Sequence, residues 1–201
     1  MYEKRDYGFW RQKDPKEFIY TEEYKKKQST NEAMSYLRAG WILGSIPYDK
    51  FKDFKVVDIG SGNNAMKKYL EDKVKEFKSY DVAGESISKE ELLSTSWDLA
   101  IFADVIEHME DIGDMFKPKW KYAYISTPET PEVADWEELK NSNWRHLKPD
   151  EHLWLLNKLG LEEYFNFNGI EVLSCDFLED VIRTREYSDK PNIVSLLVKR
   201  I

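Results

Sequence analysis

The spacing of apolar residues changes character near residue 50. Before Pro47 the chain is polar with scattered aromatics. There Ala33, Met34, Leu37, Trp41 and Ile42 recur at helical intervals behind Thr30 or Asn31 as N-cap, which predicts a helix within residues 21–44. From Phe51 onward the apolar residues come in short runs. Phe54-Lys55-Val56-Val57-Asp58-Ile59 ends at Gly60 and predicts a buried strand; further strands are predicted over 77–81, 97–104, 122–126, 169–174 and 192–199. Helices are predicted over 65–75 and 149–159, the second with Asp150 in its first turn and Gly160 just past its end. Strands alternating with helices imply βαβ units, hence an α/β three-layer sandwich around a mostly parallel sheet. Residues 1–47 read as an N-terminal helical lid or arm and residues 48–201 as the α/β domain.

Composition narrows the partners. The 201 residues suit one domain, or one domain with a small cap, and 14% aromatic content provides for a core and excludes global disorder. A net charge of -8 argues against a partner held by phosphate neutralisation, so nucleic acid is not the expected one. Cys175 is the single cysteine, which excludes an internal disulfide and a thiolate metal site. With no apolar run of membrane-span length and no signal-peptide core at the N-terminus, the expectation is a cytoplasmic monomer or homodimer that touches no membrane. Trp10 and Asp14-Pro15 could serve a self-association arm.

The chemistry concentrates at Asp58-Ile59-Gly60-Ser61-Gly62-Asn63-Asn64-Ala65, a strand-to-helix turn. Its glycines let the backbone turn sharply and approach a ligand. Gly60, Gly62 and Ala65 satisfy the spacing of a dinucleotide loop, so a nicotinamide cofactor and an oxidoreductase are one reading. Asp58 favours another. A pyrophosphate would meet an added negative charge there, whereas S-adenosylmethionine offers an ammonium and a sulfonium. Asp81, at the end of the next strand, suits the ribose hydroxyls of either cofactor.

These residues, with Trp97-Asp98-Leu99-Ala100-Ile101-Phe102-Ala103-Asp104-Val105-Ile106-Glu107-His108, resemble the class I S-adenosylmethionine-dependent methyltransferases over residues 51–201. The small single-domain type is closest. Residues 144–152, Glu179-Asp180-Val181-Ile182-Arg183 and Pro191-Asn192-Ile193 are similar to phage and polysaccharide-cluster methyltransferases. The resemblance implies a Rossmann-like sheet of seven strands whose last, here 192–199, enters antiparallel. Residues 81–98 are too few for the usual helix, strand and helix, so the family's third strand is expected to be reduced or missing. Asn64 stands where the family often has a third glycine, and Asn tolerates the left-handed backbone. The resemblance implies a cofactor site of Asp58, Gly60, Ser61, Gly62, Asp81, Val82, Ala103 and Asp104, with Tyr24 and Arg38 closing over the methionine moiety beside Tyr20.

Ligands of open parallel sheets sit beyond the carboxyl ends of the strands, which singles out residues 104–108 and 126–129. His108 is the candidate base for an oxygen acceptor because its ordinary pKa lies near neutrality; Asp104 is the candidate to touch the acceptor. Arg145, His146 and His152 are placed around the acceptor entrance, where Arg145 or Arg183 would suit an anionic group. His146 and His152 are not at the i, i+4 spacing of two ligands on one helix face, and no metal is expected. Ser126-Thr127-Pro128-Glu129 lacks the Asn/Asp-Pro-Pro-aromatic signature of DNA amino methyltransferases. The expected function is methyl transfer to a small-molecule or saccharide acceptor at oxygen. A nucleic-acid methyltransferase and an inactive, methyltransferase-like binding module are the alternatives.

Overall fold

A computed structural model describes residues 1–15, 32–82, 87–149, 151–182 and 192–201. Its centre is a six-stranded sheet in the order β4-β3-β5-β6-β9-β8. The strands are β3 (Lys55–Ile59), β4 (Glu76–Tyr80), β5 (Ser96–Ala103), β6 (Lys119–Pro128), β8 (Ile170–Asp176) and β9 (Ile193–Arg200). β3, β4, β5 and β6 are parallel, and β9 runs antiparallel to both β6 and β8. One row of the sheet aligns Val57, Ala100, Ala123, Val198 and Val172. Among the described residues no strand lies outside β4, as the shortness of residues 81–98 predicts.

β3 reads as a nearly unbroken apolar run because both of its faces are covered. Val57, Ile59, Ala100, Phe102, Ala123 and Ile125 join one core with Phe9, Ile106, Leu161 and Phe165. Val56, Leu99, Ile101, Tyr124 and Leu197 join the other with Ala39, Ile42, Phe51 and Leu70. The first face is covered by α6 (Lys158–Phe167) and the second by α1 (Glu32–Ser45) with α2 (Tyr48–Phe51) and α3 (Lys67–Leu70). Two further short helices, α4 (Lys89–Ser94) and α5 (Trp136–Asn141), connect strands. The result is the α/β sandwich with an antiparallel closing strand that the sequence predicts.

Several elements differ from expectation. The helix predicted over 65–75 is α3 followed by a 3-10 turn at Glu71–Lys73. The N-terminal helix is described from Glu32; residues 16–31, with Tyr20 and Tyr24, lie outside the described residues, as do Ala83, Asp150 and Arg183. The helix predicted over 149–159 is replaced by a two-residue strand, β7 (Trp154–Leu155), and α6 begins only at Lys158. Asn157 is its N-cap, its Oδ1 accepting from the Gly160 N–H at 2.8 Å, so Gly160 sits in the first turn of a helix rather than beyond the last.

A contact remote in sequence explains the change. β1 (Tyr2–Lys4) and β2 (Trp10–Gln12) form a hairpin, and β2 pairs with β7 through Trp10↔Leu155 and Arg11↔Trp154. The Tyr2 hydroxyl donates to the His152 carbonyl. Tyr2, Trp10, Leu139 and Leu155 make a small core of their own, so Trp10 is buried within its own chain. A Cβ on Gly160 would lie 2.1 Å from the Tyr7 carbonyl oxygen and 2.6 Å from Phe9 Cε1, so the glycine lets the hairpin reach α6. Among the described residues no helix is long and apolar enough to cross a membrane.

Candidate active site

The carboxyl ends of β3, β5 and β6 open onto a cavity of about 490 Å³. Gly60, Gly62 and Asn64 all take positive φ (71°, 51° and 59°), so the backbone turns back over the end of β3. The Gly60 N–H donates to the Tyr80 carbonyl at 2.7 Å, tying the turn to β4. A Cβ at Gly60 would stand 2.4 Å from Val105 Cγ2, so the turn and the segment after β5 touch through a bare Cα. The Gly62 N–H donates to Asp81 Oδ2 at 2.9 Å. Ser61 is buried, and its hydroxyl has no hydrogen-bond partner among the described residues.

Asp58 shares the β3 face that carries Val56 and is 3% exposed. Burial pushes its pKa up to about 7; Arg38 pulls it down and Asp81 adds to the rise. Its folded value lies above the ordinary 3.8, so the stability tied to its proton is complete below that ordinary value and lost as pH rises through about 7. The ligand-free protein is therefore expected to lose up to about 4 kcal/mol of stability between pH 4 and pH 7.5 through this group. Melting curves of Asp58→Asn across that range are expected to be flatter than wild type, and parallel curves would refute this origin.

Arg38, on α1, lies in the cavity wall and is 7% exposed. Its Nε donates to Glu179 Oε1 and its Nη2 to Asp104 Oδ2, both at 2.6 Å. Burial alone would lower the guanidinium pKa, but Asp104 and Glu179 outweigh it and hold it well above the ordinary value. Glu179, at 0% exposure in the 3-10 turn Leu178–Val181, is the partner that sequence reasoning missed. Asp104 stands at φ 56°, a conformation that Asp tolerates better than most residues.

The 3-10 turn Ile106–His108 follows directly. His108 Nδ1 lies 2.9 Å from the Glu151 carbonyl oxygen, which can only accept, so Nδ1 carries the proton and Nε2 keeps its lone pair. Burial lowers the His108 pKa, and His152 is pushed down to about 3 by burial first and His108 second. Glu107 is fully buried, its Oε2 accepting from the Thr127 hydroxyl at 3.1 Å, and burial followed by the nearness of Asp104 raises its pKa. From the sequence, Glu107-His108 could equally cap a helix or pack beneath the site, and the structure shows Glu107 buried, with its carbonyl accepting from the Leu153 N–H.

The cavity thus brings together Asp58, Gly60, Ser61, Gly62, Ala103 and Asp104 with Arg38, His108, Arg145, His146 and His152. Arg145 Nε donates to His146 Nε2 at 3.0 Å. Asp81 is half-buried against the glycine turn, whereas Val82 is 77% exposed and does not line the cavity. Tyr24 lies outside the described residues.

No family model and no curated protein sequence matches the chain. Solved structures do. The magnesium protoporphyrin IX methyltransferase of Synechocystis PCC 6803, with bound S-adenosylhomocysteine, superposes with a TM-score of 0.58 at 12% identity, over 92% of this chain and 90% of that one. An S-adenosylmethionine-dependent methyltransferase of Aquifex aeolicus gives 0.58 at 13% identity, over 91% and 100%. The 16S rRNA methylase ArmA gives 0.54 at 13%, over 90% and 92%. At such identities the likeness is one of architecture, and it agrees with the strand order, the antiparallel β9 and the glycine turn after β3: the chain has the fold of the class I S-adenosylmethionine-dependent methyltransferases.

Proposed function

We propose that the chain is an S-adenosylmethionine-dependent methyltransferase acting on a hydroxyl of a small-molecule or saccharide acceptor. The observation that carries this reading is the charge around the glycine turn. Asp58, Asp81 and Asp104 surround it, and the nearby Arg38 is already matched by Asp104 and Glu179. A pyrophosphate would face carboxylates there, whereas an ammonium and a sulfonium are favoured. The unpartnered Ser61 hydroxyl and the close-turning Gly60 and Gly62 fit the methionine carboxylate and the backbone approach it requires. Asp81, which accepts from the Gly62 N–H beside the turn, would take the ribose hydroxyls.

When bound, that cofactor supplies a methyl carbon on a sulfonium, open to in-line displacement by an oxygen. The chain's own residues hold it in alignment, which is the main demand of such a transfer. Asp58 and Ser61 would hold the methionine end and Asp81 the ribose. Asp104, held by Arg38, borders the space where the acceptor enters. His108 offers its Nε2 lone pair toward the proton that a hydroxyl acceptor must lose, and its lowered pKa keeps it neutral. Arg145 and His146 supply polar groups on the acceptor side.

Calorimetry and thermal shift with S-adenosylmethionine, S-adenosylhomocysteine and NAD test the reading. Both sulfur compounds are expected to bind, with about 2.7 kcal/mol of stabilisation at one hundred times the dissociation constant. Asp81→Ala is expected to weaken both at least about tenfold, since it removes a charge-assisted contact. Stabilisation by NAD alone would sink the proposal.

A further inference from the structure

We propose that Glu107, His108 and His152 form a binding site for one divalent transition-metal ion at the acceptor end of the cavity. One ligand atom from each residue lies within 4.8 Å of the others. The three come from two segments that the backbone holds together. The Leu153 N–H donates to the Glu107 carbonyl at 2.8 Å, and the His108 and His152 rings lie 4.9 Å apart at 79°.

The arrangement lacks a positive charge. His108 gives its Nδ1 proton to the Glu151 carbonyl, so its Nε2 presents a lone pair. Glu107 Oε1 stands 4.0 Å from that lone pair and has no hydrogen-bond partner among the described residues, although the side chain is buried. His152 is 4% exposed, and its Nδ1 likewise has no partner there. Buried polar atoms left without a partner are unfavourable. A hydrogen bond between Glu107 and His108 would require the pair to close by about 1 Å. A cation among the three residues supplies a partner to the buried Glu107 Oε1. Tetrahedral metal–ligand bonds of about 2.0–2.2 Å set ligand atoms about 3.3–3.6 Å apart, so ion binding draws the three side chains together by up to about 1.5 Å.

The remaining features are those of a metal site. A ligating histidine ordinarily donates its other ring N–H to a backbone carbonyl, as His108 does, and a ligating carboxylate is itself held by a hydrogen bond, as Thr127 holds Glu107. Neighbouring cations are already paired: Arg38 with Asp104 and Glu179, Lys148 with Glu151. Two imidazoles and one carboxylate select Zn²⁺ or Co²⁺ over the oxygen-seeking Mg²⁺ and Ca²⁺, and three protein ligands leave a position open. The role of that position rests on the methyl-transfer reading. A hydroxyl bound there would be acidified and would pass its proton to cavity water; His108 would then serve as a ligand, and as the base only in the ion-free protein.

The test uses the full chain without a polyhistidine tag, stripped with a chelator and titrated with zinc by calorimetry and with cobalt by visible absorption. One ion per chain is expected, with a dissociation constant on the order of micromolar or tighter. His152→Ala and Glu107→Gln are expected to weaken it at least about 100-fold while circular dichroism stays native. X-ray absorption of the zinc-loaded wild type needs no variant and is expected to show two imidazoles at about 2.0–2.1 Å. Absence of binding, an all-oxygen shell, or variants that bind as tightly as wild type would overturn the site. S-adenosylhomocysteine is titrated in parallel. Zinc binding without S-adenosylhomocysteine binding upholds the site and counts against the methyl-transfer reading, and the opposite pattern overturns the site alone.

Discussion

Replacing Arg38 with alanine is expected to lower the unfolding free energy by about 3–5 kcal/mol. Arg38 is the cation that matches Glu179, which has no exposure to solvent, and the two are 2.6 Å apart. Removing the guanidinium takes a charge-matched partner from a carboxylate that water cannot reach. Asp104, more than a third exposed, loses less because solvent screens it. In a chain of this size each kcal/mol moves the melting temperature by roughly 2–4 °C, so a drop on the order of 10 °C is expected. Arg38→Lys is expected to recover part of this, since an ammonium cannot reproduce a planar fork directed at two carboxylates. Replacing Arg38 and Glu179 together by methionine is expected to recover more, because no buried charge is then left alone. Urea unfolding of the three variants decides the matter. A loss below about 1 kcal/mol for Arg38→Ala would mean that this bridge does not hold α1 against the 178–181 turn.

The second large effect is expected at Gly160. The modest change to alanine places a methyl group 2.1 Å from a backbone oxygen, that of Tyr7, and 2.6 Å from the buried ring of Phe9. Neither neighbour is the free end of a flexible side chain, so the hairpin itself must move. Overpacking typically costs 1–3 kcal/mol, and here the upper end of that range or beyond is expected, about 3 kcal/mol. The loss should be local. Amide hydrogen exchange is expected to accelerate in β1, β2 and β7 while β3, β5 and β6 stay protected. Uniform protection, or a stability within about 1 kcal/mol of wild type, would show that the hairpin tolerates the methyl. The segment that bears His152 shares β7's pairing with the hairpin, so the same variant is also expected to disturb the acceptor side of the cavity.

What could be read from the sequence was local. Val56 to Gly62 announce a strand ending in a tight turn, because unbroken apolar residues and closely spaced glycines leave few other conformations. Asp81, Asp104 and His108 follow from where strands end. The hairpin was not legible. Strands of two or three residues have no period, and Trp10 opposite Leu155 is decided by a partner far along the chain. Gly160 matched a helix stop because a glycine after apolar residues serves either end of a helix; Asn157 three positions earlier was the cue that it stood at a start. Glu179 looks like an ordinary solvated acid in the sequence, whereas Glu107-His108 reads equally as a packed pair or a helix cap. Glu179 is held by Arg38, 141 positions away, and the Glu107 backbone by the Leu153 N–H.

The strand order carries a consequence for how the chain is made. As synthesis proceeds, β4, β5 and β6 each emerge to find a neighbour already present, since β4 and β5 flank β3 and β6 joins β5. β8 emerges to find none, because its place is beside β9, which has not yet been translated. Until then the far side of β6 is a bare sheet edge, open to another nascent chain on the same message. The β1–β2 hairpin waits as well: it has no β7 to pair with before Trp154 and Leu155 leave the ribosome. Chaperone cover late in translation, while β6 is out and β9 is still in the exit tunnel, is where this protein's yield would be decided.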